Sequence, residues 1–136
     1  MGKMVLHKGG CHCGKVKYEL DAPENINVTE CNCSICSKSG YLHLIVHKSR
    51  FRLLSGKNNL QEYTFGTHEA KHLFCKTCGI KSFYIPRSHP KGISVNVHCL
   101  DESTVKSMNI DHFDGKNWDE NQHKLKPLNR NEHPEK

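Results

Sequence analysis

No stretch of this 136-residue chain is apolar for long enough to cross a bilayer, which takes about 20 residues. Its start, Met1-Gly2-Lys3-Met4-Val5-Leu6-His7, lacks the apolar core of a secretory signal, and Leu6 stands where N-myristoylation wants Ser or Thr. The expectation is therefore a reducing compartment, cytoplasmic or nuclear, with neither secretion nor membrane attachment. No internal repeat, heptad or phosphate-binding glycine loop is visible, which argues against solenoids, coiled coils and nucleotide cradles. Neither a Ser-His-Asp order nor a carboxylate pair can be argued from the chain. Apolar residues make up 35%, little for a single domain of this size to hold itself together unaided.

Eight cysteines supply what the core lacks. In a reducing compartment such clusters are metal ligands rather than disulfides. Cys31-Asn32-Cys33-Ser34-Ile35-Cys36 puts three thiols within six residues, too tight for mutual disulfides, which need separated and correctly aimed β-carbons. Three sulfurs suit one soft tetrahedral cation and leave a fourth position for water or substrate, as in catalytic zinc sites. Cys75-x-x-Cys78-Gly79 has the form of a zinc knuckle. Joined to the remote Cys11-x-Cys13 it makes a closed four-sulfur site that would add folding free energy directly. Spacing alone leaves the sharing open. Cys99 is either a fourth ligand beside Cys31, Cys33 and Cys36 or a small buried hydrophobe, the reading we favour.

The formal charge is +6, and it falls to about +3 with both sites filled by zinc and the ligand thiols deprotonated. That mildly basic balance is weak evidence for an acidic partner. His98, beside Cys99, is the best of eleven scattered histidines for acid–base work. Lys48, Arg50 and Arg52, like Lys15 and Lys17, read as a solvated face.

Short alternating segments predict an all-β chain. Strands are expected over 15–20, 26–29, 41–47, 51–54, 61–65, 71–74, 82–85 and 93–99, with 55–59 turning a hairpin between the fourth and fifth. Asp101 is placed to cap a brief helical turn over 101–105. From Asp119 the chain is almost wholly polar, so the expected division is a domain over 1–118 and a frayed tail over 119–136.

Gly10-Cys11-His12-Cys13-Gly14, Cys31-x-Cys33-Ser34-x-Cys36 and Phe74-Cys75-x-x-Cys78-Gly79 resemble the glutathione-dependent formaldehyde-activating enzymes. Ser49-Arg50-Phe51, Tyr63-Thr64-Phe65, Ser82-Phe83-Tyr84, Pro86-Arg87-Ser88 and His98-Cys99-Leu100-Asp101-Glu102 resemble that family's centromere protein V branch most closely. The resemblance spans about residues 7–118. It implies a β-tent fold of short antiparallel strands organised around two zinc ions. Cys11, Cys13, Cys75 and Cys78 would hold a structural zinc, and Cys31, Cys33 and Cys36 a second one of catalytic type.

The activity implied is a carbon–sulfur lyase chemistry, joining glutathione and formaldehyde into S-hydroxymethylglutathione. Ser37-Lys38-Ser39-Gly40 could then offer amides or charge to the tripeptide's carboxylates. The alternative is a zinc-stabilised interaction module meeting chromatin, nucleic acid or microtubules.

Overall fold

A computed structural model of the chain describes residues 3–117. Two sheets make up the body. The smaller has three strands in the order β1 (Met4–Gly10), β2 (Lys17–Pro23) and β5 (Phe51–Ser55). The larger contains β3 (Asn25–Cys31), β4 (Leu42–His47), β6 (Leu60–Tyr63), β7 (Lys71–Cys75), β8 (Phe83–Ile85), β9 (Gly92–Asn96) and β10 (Ser107–Phe113), ordered β10-β3-β4-β9-β8-β7-β6. The all-β architecture expected from the sequence is present.

Alternation sets the faces. Tyr18, Leu20 and Ala22 of β2 point into the core while Lys17, Glu19 and Asp21 point away. The inward residues meet Ile26 and Val28 of β3, Leu44 and Val46 of β4, Phe83 of β8 and Val95 of β9. Tyr18, Phe51 and Phe83 form an aromatic triangle with centroids 4.8–5.6 Å apart, and the Tyr18 hydroxyl donates to the Ser82 carbonyl at 2.9 Å. On the outer face Arg52 forks onto Asp21 and reaches Glu19, so one cation of the expected solvated face is engaged by carboxylates.

Two local expectations need correction, and two elements lie outside what the sequence reading placed. The strands at 51–55 and 60–63 do not form a hairpin: β5 pairs with β2 and β6 with β7. A 3-10 turn over Lys57–Asn59 carries the chain between sheets, and Gly56 packs so closely on the Lys15 carbonyl that a β-carbon would overlap it. A short helix, α1, spans Ser34–Ser39 and so starts inside the cysteine hexapeptide, with Gly40 as its left-handed cap. The strand expected over 93–99 ends at Asn96, where its side chain takes the His98 amide and starts a 3-10 turn.

The reading placed no strand at β10, which pairs parallel with β3. Its residues are mostly exposed, so no hydrophobic pattern announces it. By contrast Asp101 does cap the turn Glu102–Thr104, accepting from the Ser103 amide. The polar tail expected from Asp119 lies outside the described residues.

Candidate functional site

Seven of the eight cysteines gather into two groups. Cys11 and Cys13, in the loop between β1 and β2, meet Cys75 and Cys78 at the end of β7, all four sulfurs lying within 4.8 Å of one another. Cys13 Sγ stands 3.6 Å from both Cys11 Sγ and Cys75 Sγ. That is far beyond a disulfide, about 2.05 Å. It matches the edge of a tetrahedron with metal–sulfur bonds of about 2.3 Å, an edge of about 3.8 Å.

Donors surround these sulfurs as they would thiolates. The Val16 amide points at Cys11, the Cys78 amide at Cys75, and the Asn59 side chain donates to Cys75 at 3.1 Å. The Cys78 amide is the main reason the Cys75 thiol is held down to about 6. Gly14 and Gly79 follow the ligands with φ of +84° and +76°, the left-handed turns that a tight thiolate loop requires. Four sulfurs would complete a tetrahedral cation here and leave no position open.

The second group is Cys31 at the end of β3, Cys33, and Cys36 in α1, with all three sulfurs within 4.8 Å of one another. One helical turn sets Cys36 three residues beyond Cys33 and so on the same side. The chain after β10 closes over them: the Asn32 amide donates to the Phe113 carbonyl, its side chain to Asp114, and its side-chain oxygen takes the Lys116 amide. Cys33, accepting from the Cys31 and then the Cys36 thiol, is held well below the ordinary thiol range and is the sulfur of the three that gives up its proton most readily. Only three cysteines contribute. The donor set fits a soft cation with one position open.

This group forms part of the wall of a cleft of about 440 Å³, well within the size of small-ligand pockets. Facing it are His43, His72 and Tyr84, with Phe65 and Ile45 apolar and Arg87 and Lys116 cationic. His43 is buried; its Nε2 lies 3.1 Å from Cys36 Sγ and its Nδ1 lies 2.8 Å from Ser94 Oγ. Burial, then the Lys81 charge, brings its pKa down to about 3. It therefore stays neutral and can donate to the Cys36 sulfur, the kind of outer contact that orients a metal ligand.

Cys99 joins neither group, as the favoured reading had it; it lies half-buried in the turn after β9, where burial pushes its thiol up to about 11. Other sequence expectations land elsewhere. His98 is exposed and borders a different depression, on the far side of Cys31 and Cys36. The hydroxyls of Ser37 and Ser39 are spent on carbonyls of the hexapeptide and α1, and Lys38 is exposed outside the main cleft. The positive charge there comes from Arg87 and Lys116 instead. His43, His72, Lys81 and Gly115 carried no local signal, because strand pairing alone brings them to the cysteines.

A protein of Rhodobacter sphaeroides with a known crystal structure is similar to this chain. The two are 35% identical, the match covers 76% of this chain and 99% of that one, and the TM-score is 0.66. A family model matches residues 6–114, a span that holds every cysteine. On the strength of that match, the chain belongs to the glutathione-dependent formaldehyde-activating enzyme family.

Proposed function

We propose that this protein is a zinc-dependent carbon–sulfur lyase of the S-hydroxymethylglutathione synthase type. It takes glutathione or a similar small thiol at Cys31, Cys33 and Cys36 and promotes its reversible addition to a carbonyl such as formaldehyde. One observation carries the reading: the three-sulfur group opens onto a cleft, while the four-sulfur group offers a tetrahedral cation its full set of donors. Cys11, Cys13, Cys75 and Cys78 would hold the structural zinc and the other three the second. When bound there, zinc supplies the pull that keeps an incoming thiol in its nucleophilic, deprotonated form.

The chain's own residues do the rest. Arg87 and Lys116, both on the cleft wall, offer charge to the carboxylates of the tripeptide. Phe65, Ile45 and Tyr84 exclude water from the reacting carbon. Neutral His43 holds Cys36 in place through its Nε2–H. No helix among the described residues is long and apolar enough to cross a membrane.

Exchange between free formaldehyde and S-hydroxymethylglutathione, followed by NMR magnetisation transfer, tests the reading. The expected result is exchange well above the uncatalysed rate, abolished in a folded Cys33→Ser variant. An unchanged rate with wild-type protein would contradict it and favour the interaction module for chromatin, nucleic acid or microtubules.

A further inference from the structure

Beside the cysteines lies a second constellation that metal binding does not use. His72 of β7 is 5% exposed and lies nearly flat between two rings, Tyr84 at 4.8 Å and 17° and Phe65 at 5.4 Å and 19°. Its Nδ1 is 2.7 Å from Lys81 Nζ. An ammonium has three donors and no acceptor, so it must give a hydrogen to Nδ1. In the neutral ring the remaining hydrogen is then fixed on Nε2. Among the described residues no group bonds that Nε2, and His72 lines the cleft.

Lys81 is itself unusual. Its ammonium sits 4.0 Å from the centre of the Tyr84 ring and 4.9 Å from that of Tyr41, and among the described residues no carboxylate pairs with it. The ammonium is half-buried, and the negative charge it faces is that of the Cys36 and Cys33 sulfurs, so it stands between the three-sulfur group and His72. Burial brings it down to about 8, and burial followed by the Lys81 charge brings His72 down to about 4. At pH 7 the pair is thus a neutral imidazole backed by a mild acid. The other ionisable groups facing the pair are Tyr41, Tyr84, His43, Cys33 and Cys36.

We propose that His72 is the catalytic acid of this cleft, presenting Nε2–H to the oxygen of the carbonyl substrate, and that Lys81 is the positioning residue that fixes its tautomer and resupplies its proton. This rests on the thiol-addition reading above. When the thiolate sulfur attacks the carbonyl carbon, a C–S bond forms and the C=O π pair moves onto oxygen. That oxygen takes the Nε2 proton, and Nδ1 takes one from Lys81. The proton shed by the next thiol on binding returns through water, Lys81 recovers its own from Nδ1, and thiol plus aldehyde become hydroxymethyl thioether with nothing left over. The reverse direction uses the same groups in the opposite order, with His72 as base.

The test uses the zinc-loaded protein with Lys81→Met and His72→Gln variants. Native mass spectrometry counts zinc and glutathione, magnetisation transfer gives the exchange rate against pH, and imidazole 15N shifts report the His72 tautomer. Both variants should keep both zincs and the glutathione adduct yet lose at least tenfold in rate, since general acid catalysis is worth about 10²–10⁴. The wild-type rate should fall above about pH 8 as Lys81 deprotonates, and that limb should vanish in Lys81→Met. The wild-type spectrum should show Nε2–H alone, and the Lys81→Met spectrum a tautomer mixture. His72→Gln carries the same rate readings should Lys81→Met fail to fold.

Wild-type rates in both variants, a zinc lost from either, or a wild-type Nδ1–H tautomer would overturn the proposal. Absence of acceleration by the wild type, with the tautomer still fixed, would instead bring down the lyase reading, and the acid role of His72 with it.

Discussion

Gly115 stands against Cys31 so closely that a β-carbon would overlap the sulfur, and it would also come within 3.1 Å of the Cys33 β-carbon. The segment after β10 is therefore part of the three-sulfur site. Parallel pairing of Ser107–Phe113 with Asn25–Cys31 delivers it there, two strands ending together above α1.

Gly115→Ala should push Cys31 aside while leaving the distant four-sulfur cage intact. Zinc content should drop from two per chain toward one, with global stability changed by no more than about 1 kcal/mol. Elemental analysis against protein concentration reads this. Two tightly held zincs in the variant would show that Gly115 is not needed for the site.

Asn59→Ala removes a donor from Cys75 without touching a ligand. Loss of such an outer contact typically weakens metal affinity about 10–100-fold. Chelator competition should show the zinc of the four-sulfur cage released about 10–100-fold more readily than in the wild type, with the three-sulfur site unchanged. Release as in the wild type would show that the Asn59 contact does not support the cage.

Cys99→Ser should leave both zincs in place, because Cys99 belongs to neither cluster. A variant that lost one metal would make Cys99 a ligand after all.

His72 also sets a pH dependence. Its folded pKa of about 4 lies below the ordinary 6.5, so between those values the unfolded chain binds more protons there. Stability from this group is complete above about pH 6.5 and is lost as pH falls toward 4, with a slope of at most about 1.4 kcal/mol per pH unit. The difference in denaturant midpoint between wild type and His72→Gln should be constant above about pH 6.5 and shift against the wild type as pH falls toward 4. Parallel acid limbs would mean that His72 is not held neutral by the fold.

What the sequence made legible was local. Cysteine spacing marked the three-cysteine run and the C-x-x-C knuckle while leaving open which cysteines gather together, and the alternation in Lys17-Tyr18-Glu19-Leu20 named a strand and its buried face. The partners across space were not legible. Nothing near Gly115 signals that it meets Cys31, since a glycine in a polar stretch looks like any turn. Nothing near His72 or His43 signals the cleft, because register between strands far apart in sequence decides where each ring points. β5 and β6 read as a hairpin because turn residues lie between them. β5 pairs with β2 instead, where Phe51 packs on Tyr18, and β6 pairs with β7.

The most direct measurement is native mass spectrometry of the purified protein with and without glutathione. Two zincs per chain plus one glutathione are expected, with Cys33→Ser losing one zinc and the glutathione together while the other zinc stays. Two zincs in a protein that ignores glutathione and other small thiols would contradict an open thiol site at Cys31, Cys33 and Cys36.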